Sequence, residues 1–81
     1  MLRGDIVHYA RIQPSLDVYE VLELKVRTVE TDWFTGVGKR DRRVYLFSNN
    51  DLNKIVFSNR KDAISVVEKA KKGKKKLRRV M

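Results

Sequence analysis

Trp33–Phe47, WFTGVGKRDRRVYLF, is read as a β-hairpin with a cationic tip. Trp, Phe, Thr, Val and Tyr favour a pleated, half-buried surface, which predicts strands over Trp33–Val37 and Val44–Phe47. Gly38 and the charged residues between them favour a turn. That turn, GKRDRR, sets Lys39, Arg40, Arg42 and Arg43 against the single anion Asp41. Alternation along each strand requires one of Trp33 and Phe34 to face outward, and separates Tyr45 and Phe47 from their neighbours. An aromatic sheet topped by a cationic loop suits a polyanion.

Upstream, Ile6–Ile12 alternates as a strand, with Ile6, His8, Ala10 and Ile12 on one face and Val7, Tyr9 and Arg11 on the other. Pro14 to Asp17 is turn chemistry, because Pro presets φ while Ser and Asp bond local backbone. Val18–Thr31 is a long strand that puts Leu22, Leu24 and Val26 on one face. Tyr19 and Val21 fall on the opposite face, with Glu23 and Lys25, so the buried side changes partway. Such a change predicts a bend or bulge. A 3.6-residue period through Val18, Leu22, Val26 and Val29 competes, but four valines with Tyr19, Thr28 and Thr31 favour strand.

Downstream, Ser48–Asn53 suits a turn or one 3₁₀ turn, and Ile55–Phe57 a short last strand. Asn59 is a good N-cap for a helix over Arg60–Lys72, with Asp62 favouring its positive end. Ala63, Val66, Val67 and Ala70 form its apolar stripe, with Ile64 at the margin. Gly73 is the expected residue just past the helix end. These elements predict one mainly β domain over residues 1–73, a small five-stranded barrel with one C-terminal helix, followed by a basic tail over residues 74–81. Barrel closure would remove sheet edges that 81 residues can hardly cover otherwise.

The charge is segregated. Residues 1–68 hold eleven Lys/Arg and ten Asp/Glu, whereas residues 69–81 hold eight Lys/Arg and no acid. The net charge of +9 is therefore mostly one C-terminal run: Lys69, Lys71, Lys72, Lys74, Lys75, Lys76, Arg78 and Arg79. Its cations can neutralise phosphates and release counterions, a grip on DNA or RNA without base preference. The competing readings are a solvated end that keeps the chain dispersed and an anionic membrane surface into which Leu77, Val80 and Met81 insert shallowly. Arginine forks at the hairpin tip suit phosphate oxygens, and Trp33 and Tyr45 are candidates for stacking on bases.

With no cysteine and a single histidine, His8, neither a disulfide framework nor a zinc site is expected. No nucleophile, paired carboxylate or cofactor motif stands at a legible spacing, so no catalytic residue and no cofactor are assigned, and a non-enzyme is expected. No apolar run reaches the roughly 20 residues of a membrane span, and MLRGDIVHYA does not read as a signal peptide. A cytoplasmic setting is expected.

The opening GDIV, the bent second strand, the hairpin WFTGV…VYLF and the closing KIVF resemble an SH3-like barrel of the KOW or Tudor kind. YLFSNNDLNKIVFSNRKDAI is similar to segments of short uncharacterised proteins of Gram-positive bacteria and their phages. Gln13-Pro14-Ser15 stands where KOW motifs carry a glycine-rich loop. The resemblance implies a barrel that binds RNA, a ribonucleoprotein or a peptide. Its alternative to nucleic acid is a protein-interaction or inhibitor module, phage-encoded, using the aromatic barrel face on a host protein.

Overall fold

The computed structural model describes the backbone of residues 1–80 and the side chains of residues 1–73. The chain is mainly β, with β1 (Ile6–Gln13), β2 (Val18–Val29), β3 (Trp33–Gly38), β4 (Val44–Ser48), β5 (Val56–Phe57) and a C-terminal helix α1 (Arg60–Val80). The strands form one antiparallel sheet in the order β4-β3-β2-β1-β5. Single 3₁₀ turns follow β1 (Pro14–Leu16) and β4 (Asn49–Asp51). The second is a capping box: Ser48 Oγ accepts from the Asn50 N–H while Asp51 Oδ2 accepts from the Ser48 N–H.

The sheet curls into a half-barrel. Tyr9 on β1 touches Phe47 and Tyr45 on β4, at ring-centroid distances of 4.9 and 5.6 Å, although β2 and β3 lie between them in the sheet. Those rings close over Val7, Leu24, Val26, Phe34 and Val56, all buried. The expected closure into a barrel is not completed by hydrogen bonds, since no ladder joins β4 to β5 among the described residues. The two-residue β5 pairs with β1 only, and Leu52 and Ile55 beside it pack against the same core.

A second cluster lies on the outer face. Ala63 and Val67 of α1, with half-buried Val66, cover Ala10, Ile12, Tyr19, Val21 and Phe57. This explains the parity change in β2. Its first half is apolar on both sides because the half-barrel takes Leu22 and Leu24 while the helix takes Tyr19 and Val21. The expected irregularity is also present, as a register shift between Val26 and Thr28. The helix does not stop at Lys72. It runs through Gly73, whose backbone is not left-handed and whose surroundings are open. A helical glycine costs about 1 kcal/mol relative to alanine, too little to end a helix by itself.

At Gly36 a side chain would crowd the half-barrel. A Cβ there would sit 3.1 Å from Leu24 Cβ and 3.3 Å from its Cδ1, and Leu24 is fully buried. Gly36→Ala is expected to lower the unfolding free energy by about 1–3 kcal/mol, the usual cost of overpacking. A urea melt measures this, and an unchanged midpoint would show that the β2–β3 contact is loose.

Candidate nucleic-acid interface

The hairpin tip is a built turn. The Gly38 N–H donates to the Arg43 carbonyl at 2.9 Å and the Arg42 N–H to the Gly38 carbonyl at 3.0 Å. Arg42 itself is left-handed at φ 56°, a conformation that costs a non-glycine residue about 1–2 kcal/mol. Asp41 holds the turn from inside. Its Oδ1 accepts from the Arg43 N–H at 3.0 Å and its Oδ2 from the Tyr45 hydroxyl. The carboxylate lies against Gly38, where any Cβ would overlap it. Sequence reading treated Asp41 only as a counter-charge. The signal that could have found it is the Asx-turn spacing, an Asp accepting from the N–H two residues on.

Hydrogen bonds from the Tyr45 hydroxyl, above all, and from the Arg43 N–H hold the Asp41 carboxyl below its ordinary value of 3.8; the same carboxylate pushes the Tyr45 hydroxyl up. A depressed carboxyl adds stability that is present above the ordinary value and is lost as pH falls through the lowered one. The tip is therefore expected to stay closed through mildly acid pH and to open only below pH 3.8. Tyr45→Phe removes the main cause, so Asp41 should titrate closer to its ordinary value. Carbon NMR of the Asp41 carboxyl reads this directly, and identical titrations in both proteins would remove the hydroxyl as the cause.

Lys39 is held by an ion pair to β2. Its Nζ lies 2.7 Å from Glu23 Oε2. This bond, then the fields of Lys39, His8 and Arg60, outweighs partial desolvation and lowers the Glu23 carboxyl. Glu23 pairs across the strands with His8, whose Nδ1 is buried without a hydrogen-bond partner among the described residues. These residues line a cleft of about 500 Å³ whose walls carry Arg40 from the tip and Arg60 from the start of α1. Asn59 fixes that helix start by accepting from the Lys61 N–H at 2.9 Å. Arg60 had no mark in the sequence as a neighbour of the tip, because only the fold brings the two together.

The two basic patches remain apart. Arg60 lines the same cleft as Arg40, and along α1 the basic run begins nine residues further at Lys69, roughly 13.5 Å at 1.5 Å per residue, with residue 74 at roughly 21 Å. Lys69, Lys71 and Lys72 are exposed on the helix; the side chains of Lys74, Lys75, Lys76, Arg78 and Arg79, and all of Met81, lie outside the described residues. Nor do the stacking candidates form one platform. Trp33 is on the outer face and 41% exposed, whereas Tyr45 points into the half-barrel and stacks along Phe47. Among the described residues no group of acidic or histidine side chains could hold a metal ion, and no helix is long and apolar enough to cross a membrane. No family model matches the chain, and no curated protein or solved structure matches it either.

Proposed function

We propose that the chain is a non-enzymatic nucleic-acid-binding module on an SH3-like barrel, gripping the phosphate backbone of DNA or RNA with its hairpin tip and basic C-terminal run. The observation that carries this reading is the state of the tip. Arg40, Arg42 and Arg43 are exposed, and none is in an ion pair among the described residues. Position 42 would be cheaper as glycine or asparagine, yet it holds an arginine in the left-handed region. A left-handed non-glycine residue kept at an exposed turn is an outlier of the kind that motivates a functional reading of its side chain. The meander β1–β4, the bulge near Arg27 and the short return of β5 to β1 support the small-barrel reading.

The test is a titration of nuclease-treated protein into labelled DNA and RNA, single- and double-stranded, at several salt concentrations. Binding that weakens steeply with salt is expected. No binding to any of them at low salt overturns the proposal. The alternative, a protein-interaction or inhibitor module, draws on the exposed outer sheet face. The uncovered part of that face is more aliphatic than aromatic: of the hairpin's aromatics Phe34, Tyr45 and Phe47 point inward and Trp33 faces out, while Tyr19 and Phe57 are covered by α1.

A further inference from the structure

We propose that the free edge of β4 is a self-association surface, on which a second copy of this chain pairs antiparallel to join two half-barrels through one continuous sheet. The inference is independent of the nucleic-acid reading.

The hydrogen-bond register exposes the edge. At the ends of the β3–β4 ladder the Gly38 N–H donates to the Arg43 carbonyl and the Asn49 N–H to the Asp32 carbonyl. Counting in twos between them, Tyr45 bonds with Gly36 and Phe47 with Phe34. Val44, Leu46 and Ser48 therefore turn their backbone groups away from β3. Asp51 takes the Ser48 N–H, and the Ser48 C=O, as the N-cap carbonyl, accepts the first bond of the 3₁₀ turn, which leaves the N–H and C=O of Val44 and Leu46 open. No strand covers them among the described residues.

The side chains do not protect this edge. Natural sheet edges carry charges, proline or bulges that discourage pairing. The strand VYLFS has none of these, and its outward side chains Val44 and Leu46 are 53% and 69% exposed. Trp33 and Val37 flank them on β3, opposite Ser48 and Val44. The result is one apolar strip beside an unpaired backbone.

Charge selects the direction of pairing. Arg42 and Arg43 sit at one end of β4, with Asp51 at the other and Asp32 bound beside it through Asn49. A parallel partner would set arginine tip against arginine tip. An antiparallel partner sets each tip beside the other copy's aspartates, and it is the arrangement that a two-fold axis generates. The register with Leu46 opposite its own copy uses every residue of the strand and keeps the left-handed Arg42 outside the seam. It makes two bonds between the Leu46 residues, one in each direction.

Light scattering or sedimentation of the full, nuclease-treated chain over roughly a hundredfold range of concentration is expected to show a monomer–dimer equilibrium. A monomer throughout overturns the proposal. Because the chain has no cysteine, a single Leu46→Cys supplies the only thiol. Two such residues facing across the axis lie about 5.5 Å apart at Cα, within disulfide reach. Val44→Cys places its two thiols four residue steps apart, roughly 13 Å, and should not crosslink. Crosslinking of the first only is expected, and equal or absent crosslinking overturns the register. Leu46→Lys sets two cations against each other at the axis. It should raise the dimer dissociation constant at least roughly tenfold while leaving the melting temperature of the monomer unchanged, since the side chain is exposed. A dimer unaffected by this change would place the contact elsewhere.

Discussion

Ending the chain after Gly73 is expected to flatten the salt dependence of nucleic-acid binding while leaving the fold intact. The shortened protein loses Lys74, Lys75, Lys76, Arg78 and Arg79. If about four of these contact duplex phosphates, the slope of log affinity against log salt falls by roughly 3.6 at ~0.9 per contact, and by roughly 2.8 on a single strand at ~0.7. The helical residues seen packing on the sheet, Ala63, Val66 and Val67, all precede the cut, so the melting temperature should barely move. Replacing Arg40, Arg42 and Arg43 with alanine should flatten the slope independently, by up to roughly 2.7 on duplex. Because residue 74 lies roughly 21 Å along α1 from Arg60, the residue that shares a cleft with the tip, the two effects should add. Neither change should alter base preference, since phosphate contacts position without specifying. Equal slopes for full and shortened chains would return the tail to a solubilising role and move the reading to protein interaction.

Phe34→Ala is expected to cost about 3–5 kcal/mol, a large part of the stability of so small a domain. Phe34 is 0% exposed and stacks on Phe47 at a centroid distance of 5.3 Å, at the centre of the half-barrel. Its removal leaves a cavity that the rigid β2–β3–β4 ladders cannot collapse into. Val44→Ala, on the other face of the same hairpin, should change stability by only about 0.5 kcal/mol. Denaturant melts of both variants at a concentration where the chain is monomeric make the comparison. Similar costs would mean that the curl does not seal the interior.

Much of the architecture was legible because it is written in local periodicity. The period of two marked β1 through β4, and the valines of β2 correctly outweighed its helical spacing. Asn59 and Asp62 marked the helix start, and the narrow stripe from Ala63 to Ala70 marked its buried side. Gly73 misled, because a helix end needs a conformation and partners that a glycine permits but does not impose. Val18–Thr31 was read as a strand that changes its buried face, and the strand observed is Val18–Val29. That pattern has two sources which look alike in one dimension, a bulge near Arg27 and a second layer covering Tyr19 and Val21.

By itself the sequence determined a small, mainly β chain with one C-terminal helix, a cationic hairpin tip and a separate basic run, because these depend on side-chain alternation and on where charges fall along the chain. Only the tertiary structure decided that Trp33 faces outward while Tyr45 turns in to anchor Asp41, that Arg60 joins the tip, and that β4 keeps an open edge. Each of these depends on how far the sheet curls and on which residues its register sets opposite one another. That geometry is settled by long-range packing around Phe34 and Leu24, and no local pattern encodes it.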